Sequence, residues 1–189
     1  MFRIAALVPL AMSIAASGPA LAQDASAWAG AYGGVQLSYG DGFQDYGGGT
    51  NYDIYGDSYG LFAGYMWSTG AWAYGAELGY AKADFHEYDS GLEFPEYKFN
   101  HTLDLKARAG YAMGPALIYG VLGYGFSEWE EGGPSDTYDV EGALFGAGVD
   151  YLVTDRVFLG GEVLRRGMDG DYPFDADVTT FTLRAGMTF

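Results

Sequence analysis

Residues 99–111 read FNHTLDLKARAGY. The odd positions Phe99, His101, Leu103, Leu105, Ala107, Ala109 and Tyr111 are mostly apolar, with an aromatic ring at each end. The even positions Asn100, Thr102, Asp104, Lys106, Arg108 and Gly110 are polar or small. Successive side chains of a strand point to opposite faces, so this stretch has one apolar face and one charged face. A half-buried strand of a soluble protein gives the same alternation, with the apolar side turned to a core. Two details favour the opposite arrangement. At about 3.4 Å per residue the stretch is long enough to cross a bilayer core at a tilt of about 45°. Its rings also mark the ends of the apolar face, where membrane interfaces favour aromatics, while the middle is aliphatic. Asp104, Lys106 and Arg108 are then expected inside a closed barrel, provided the rest of the chain supplies the other strands.

The N-terminus reads as an export signal. Arg3 precedes a short apolar run over 4–14, and Ala20-Leu21-Ala22 forms an A-x-A site before Gln23. Pro9, Ser13, Ser17, Gly18 and Pro19 interrupt the run, which makes it a poor membrane anchor. The expectation is a secretory leader over residues 1–22, cleaved after Ala22, and one domain over 23–189.

Beyond the leader no apolar run is long enough for a transmembrane helix. The chain nevertheless has 17% aromatic residues and 31 glycines against only 18% charged residues, which suits neither a disordered chain nor an ordinary soluble domain. Alternating membrane strands produce this combination, because polar lumen residues dilute the lipid-facing ones. The absence of cysteine excludes a disulfide framework and thiolate chemistry. A formal charge of −16 argues against nucleic acid as a partner.

The same alternation recurs along the chain. Strands are expected at 28–39, 59–67, 72–80, 99–111, 116–126, 140–153, 157–166 and 178–189. Outward rows include Val35, Leu37 and Tyr39, then Tyr59, Leu61, Ala63, Tyr65 and Trp67, then Trp72, Tyr74, Ala76, Leu78 and Tyr80. The fifth strand has apolar residues on both faces, and its alternation leaves the outer face unassigned. Tight turns fall at 68–70, 113–115 and 154–156. Longer loops, rich in Gly, Asp, Tyr and Asn, fall at 41–57, 85–97, 127–139 and 167–177. Long and short connections thus alternate between eight strands, as in an all-β, antiparallel, up-and-down transmembrane β-barrel with short periplasmic turns and longer external loops. A soluble eight-stranded barrel needs an apolar interior. Here the faces opposite the aromatic rows carry Gln36, Glu77, Asp104, Lys106, Arg108, Asp150, Glu162 and Arg184.

The segments WAGAYGGVQLSYG and FGAGVDYLVTDRVFLGGEV, with the final Phe189, resemble small porin-like, OmpA-barrel-related surface proteins common in alphaproteobacteria. Opacity-type adhesins are also similar. Gly146, Gly148, Val149, Asp150, Tyr151 and Glu162 match a Gly-x-Gly-Val-Asp/Glu-Tyr strand, a tight turn and a strand with an inward Glu. The chain departs from the pattern at Val163-Leu164-Arg165-Arg166, where the family has a Tyr-Arg-Tyr run. The resemblance implies residence in the outer membrane of a Gram-negative bacterium after export.

The candidate site is the set of inward charges: Glu77, Asp104, Asp150 and Glu162 against Lys106, Arg108 and Arg184. An eight-stranded barrel has an interior that side chains can fill, so a structural plug is the first reading and a gated polar pore for small solutes the second. Catalysis is not expected. His86 and His101 are the only imidazoles, and neither has a Ser two positions away.

Carboxylates crowd the loops: Asp41, Asp45, Asp53, Asp57, Glu87, Asp89, Glu93 and Glu96, then Glu128, Glu130, Glu131, Asp136, Asp169, Asp171, Asp175 and Asp177. They would solvate the exposed end or bridge through divalent cations to lipopolysaccharide phosphates, but no loop has EF-hand spacing and no metal or other cofactor is expected. Tyr46, Tyr52, Tyr55, Tyr138 and Tyr172 could serve adhesion. The remaining expected partners are outer-membrane lipids, with periplasmic chaperones and the barrel-assembly machinery during biogenesis. Phe189 resembles the C-terminal signal that this machinery selects. The protein is expected to be a monomer.

Overall fold

A computed structural model describes the backbone of residues 24–45, 51–87, 97–131, 137–170 and 175–189. Side chains are described for 24–43, 53–84, 101–128, 139–168 and 176–189. The leader at 1–22 lies outside these residues. So do the side chains of His86, Phe99, the tyrosines at 46, 52, 138 and 172, and every carboxylate assigned to a loop except Asp41, Asp53, Asp57, Glu128 and Asp177.

Eight antiparallel strands close into a barrel in sequence order: β1 (Gly30–Asp45), β2 (Asn51–Thr69), β3 (Trp72–Glu87), β4 (Tyr97–Met113), β5 (Ala116–Glu131), β6 (Thr137–Leu152), β7 (Val157–Gly170) and β8 (Asp175–Thr188). β1 pairs β8 from Tyr32↔Thr188 to Asp45↔Asp175, which leaves no open edge. Lipid requires that closure, because an unpaired backbone group has no water to bond there. The tight turns gather at one end. Gly70 and Gly114 have φ of 58° and 60° and begin two-residue hairpin loops. In the third turn, the Thr154 hydroxyl accepts from the Val157 N–H at 2.9 Å.

The outward rows expected from the sequence are exposed on the barrel wall. The structure also settles β5. Ile118, Leu122, Tyr124 and Phe126 point outward, whereas Leu117, Tyr119 and Val121 are buried inside. Both faces are apolar because the lumen near the tight turns is itself apolar. Trp28, expected as the start of a strand, instead ends a 3-10 turn (Ser26–Trp28) that closes this mouth. Its indole is buried against Phe158, with ring centroids 5.7 Å apart.

The strands run further than the composition indicated. Segments 41–45, 51–57, 127–131 and 167–170, read as loop, continue the ladder. At about 2.5 Å of height per residue, the 19-residue β2 stands about 48 Å tall against an apolar band of about 25 Å. The 14-residue β7 and β8 stand about 35 Å by the same measure, so the hairpins rise about 10–20 Å beyond the band. There the polarity of the wall inverts. Asp53, Asp57, Lys82, Asp84 and Asp139 face outward into solvent, while Ile54, Ala83, Val140, Met168, Ala176 and Val178 form an apolar cluster inside. Backbone pairing continues because antiparallel strands tolerate water on one face.

Candidate functional site

The lumen is built in layers. Nearest the tight turns lies an apolar layer that includes Trp28, Phe62, Met66, Ala112, Leu117 and Phe158. All seven sequence-predicted charges stand above it, each buried, and an eighth joins them: Arg166. Four carboxylates thus meet four cations among the described lumen residues.

Glu77 is the hub. Its carboxylate lies 2.6 Å from Lys106 Nζ, 2.9 Å from Arg108 Nη1 and 2.5 Å from Arg184 Nη2. The Tyr32 hydroxyl donates to the same group at 2.9 Å. Glu162 accepts from Lys106 at 3.0 Å and from Arg184 at 2.8 Å. Asp150 accepts from Arg108 Nη2 at 2.6 Å. These ions come from β3, β4, β6, β7 and β8, so the network ties strands across the lumen as well as along the ladder. The Arg108 guanidinium lies 3.8 Å from the Tyr119 ring centroid, and that of Arg184 lies 4.1 Å from Phe62. Stacked faces of this kind suit the weakly hydrated guanidinium better than an ammonium. Higher in the lumen, Asp104 forms a separate bidentate pair with Arg166, at 2.5 and 2.7 Å.

Geometry explains the glycines of the β6 motif. A Cβ at Gly148 would strike the Tyr119 ring, and one at Gly146 would lie 2.8 Å from Leu164 Cδ2. Gly64 makes the same room for Tyr32, whose ring carbon would be 2.6 Å away. Buried ions cost several kcal/mol each to desolvate, and only close pairing with additional hydrogen bonds offsets it. The glycines let the two tyrosines reach the ions and supply those bonds.

Sequence reasoning missed Arg166, Tyr32 and Tyr119. Arg166 was legible: positions 162, 164 and 166 share a face, so the departure from the family's Tyr-Arg-Tyr run places a cation there. Tyr32 shares parity with Gly34 and Gln36 and was equally available. His101, on the apolar face of the stretch 99–111, is half-buried with Nδ1 3.6 Å from a Glu128 carboxylate oxygen. The nearby Ser127 hydroxyl donates instead to the His101 carbonyl at 2.7 Å. Among the described residues no group of three His, Asp or Glu side chains is arranged to hold a metal.

A closed eight-stranded wall, lipid-facing aromatics and an ion-filled lumen agree with the comparison to known proteins. The profile of the outer membrane protein beta-barrel domain matches residues 8–189. The chain belongs to that family. It is an outer-membrane barrel of a Gram-negative bacterium. A 22 kDa outer membrane protein of Rhizobium leguminosarum bv. viciae is 33% identical over 139 residues, 70% of this chain. The alignment spans 61% of that relative's length. Among solved structures, the outer membrane protein OprG from Pseudomonas aeruginosa superposes with a TM-score of 0.55 at 17% identity, over 85% of this chain and 96% of that one. Ail, the attachment invasion locus protein of Yersinia pestis, in complex with the heparin analogue sucrose octasulfate, gives 0.53 at 17%, over 85% and 99%. These two likenesses speak to the fold.

Proposed function

We propose that this barrel serves the outer membrane as a structural surface protein whose lumen is a plug, without catalysis and as a monomer. The observation that carries the reading is the set of eight paired ions, a network of six and the separate Asp104–Arg166 pair, resting on an apolar layer. Every carboxylate in it is bonded to a cation of another strand. A small-solute pore would require both layers to part, breaking buried ion pairs at about 3–5 kcal/mol each. Conductance of the purified protein in planar bilayers is the test. Only background current is expected, and steady unitary openings of the unaltered protein would refute the plug.

A second reading, surface recognition through the external end, is supported by the hairpins that rise beyond the band with exposed Asp53, Tyr55 and Asp57. The formal charge of −16 directs such recognition toward cations, including divalent ions bridging to lipopolysaccharide phosphates, and away from polyanions of the kind bound by Ail. Trimming the external loops should abolish surface binding while the barrel stays folded. Binding that survives trimming would exclude this role. Periplasmic chaperones and the barrel-assembly machinery are the proposed partners in biogenesis. Phe189 lies exposed at the edge near the tight turns, where that machinery could read it.

A further inference from the structure

Where the outer wall turns from apolar rows to charge, β4 loses its regular pairing on both sides at once. From Tyr111 to His101 it pairs residue for residue with β3 and with β5. Beyond that, Lys82↔His101 is followed by Phe85↔Phe99, so Ala83 and Asp84 stand opposite the single residue Asn100. On the other side His101↔Glu128 is followed by Phe99↔Trp129, which leaves Asn100 with no opposite residue. Bulges interrupt the ladder and bend the strand that carries them. Two at one position make a hinge between the membrane wall and the external ends of β3, β4 and β5, over 83–87, 97–100 and 129–131.

His101 is the last regularly paired residue of β4 below this break, and its neighbours on both strands converge on it. Its Nδ1 lies 3.6 Å from a Glu128 carboxylate oxygen on β5. Its ring lies against Tyr80 of β3, with centroids 5.8 Å apart and planes inclined by 33°. On the inner face the Ser127 hydroxyl donates to its carbonyl at 2.7 Å. The imidazole is 33% exposed, so bulk protons reach it. Histidine changes charge between about pH 5 and 8. The imidazolium gains a charge-assisted contact with Glu128 and with the face of Tyr80. Lys82, its exposed cross-strand neighbour, opposes that charge, while Asp84, exposed two residues further along β3, favours it. The Lys82 ammonium sits on a flexible stem and can turn into water.

We propose that His101 is a proton-responsive catch for this hinge. Protonated, it ties β4 to Glu128 on one side and to Tyr80 on the other, and holds the external ends of the three strands in line with the barrel. That stabilisation is present in acid. It is lost as pH rises through the histidine range, and the ends then open more often. The device works whether or not the lumen conducts.

Amide hydrogen exchange of the protein in micelles is the test, each variant being compared with the unaltered protein at the same pH, at about 5.5 and about 8. The readout is protection at Phe99, Trp129 and Glu130, above the hinge, against Leu105 and Ala107 below it. A partly exposed ion pair changes a local opening equilibrium by about two- to fivefold. In acid, His101→Gln should lower protection above the hinge by that factor. At the alkaline pH it should change nothing, and Leu105 and Ala107 should stay unmoved at both. Glu128→Gln should reproduce the acid loss, and it supplies the same comparison should His101→Gln fail to fold. A loss of equal size at both pH values would overturn the proposal, because the imidazole would then only be packing. Undiminished protection in acid, in either folded variant, would overturn it as well, as would a loss that extends to Leu105 and Ala107.

Discussion

The Asp104–Arg166 pair gives the sharpest test of the lumen. It is bidentate, its side chains are only 3% and 10% exposed, and each is the other's only charged partner among the described ion pairs. Unit charges about 4 Å apart attract by about 4 kcal/mol at an effective dielectric of about 20. Removing one partner leaves the other ion buried and unpaired, and such losses are typically about 3–5 kcal/mol. Arg166 keeps some exposure, which favours the lower end. We therefore expect Asp104→Val and Arg166→Met each to destabilise by about 3 kcal/mol, and the double variant to return to within about 1 kcal/mol of the unaltered protein. Urea unfolding in lipid vesicles, followed by the fluorescence of the four tryptophans, measures all four corners of the cycle. Single variants that lose less than about 1 kcal/mol would refute the reasoning, because ordinary exposed pairs give that little. Additive losses in the double variant would refute it equally.

Three other outcomes follow from the same geometry. Cysteines at Gly48, Gly91 and Gly132, in the β1–β2, β3–β4 and β5–β6 connections, or at Gly170 should label with impermeant reagents on intact cells, while those at Thr69, Gly114 and Asp155 should not until the membrane is opened; reversed labelling would invert the orientation. Gly148→Ala should destabilise by about 1–3 kcal/mol through collision with the Tyr119 ring, and Tyr119→Leu should relieve part of that loss in the same unfolding assay. Deleting Phe189 should leave export intact but lower the membrane-inserted fraction at low expression, and an undiminished fraction would end its assignment as an assembly signal.

Much of this architecture was legible because one period of two runs through every strand. The stretch 99–111 carried it most clearly, since Asp104, Lys106 and Arg108 alternate with Leu103, Leu105 and Ala107. The reading faltered wherever the two-sided rule of a membrane strand lapses. Leu117, Tyr119 and Val121 face a lumen that is apolar near the tight turns, so β5 showed no polar side. Tyr32 and Tyr119 were hidden by the expectation that aromatics face lipid, although both are lumen hydrogen-bond donors. Arg166 shares the parity of the inward Glu162, and only the departure from the family's run over 163–166 drew attention away from it. Strand ends such as 51–57 read as loop because Asp and Gly suit turns, whereas their outer faces meet water and need no apolar residue.

The inversion of polarity along the wall has a consequence for how the protein sits. Below the change the barrel prefers hydrocarbon outside; above it, with Asp57 and Asp84 outward, it prefers water. Sliding the barrel deeper would drag carboxylates into oil, and raising it would strip lipid from rows such as Leu61 and Leu78. The boundary acts as a waterline that fixes immersion depth, so the barrel should answer a thicker or thinner bilayer by deforming the lipid around it, not by shifting along the normal.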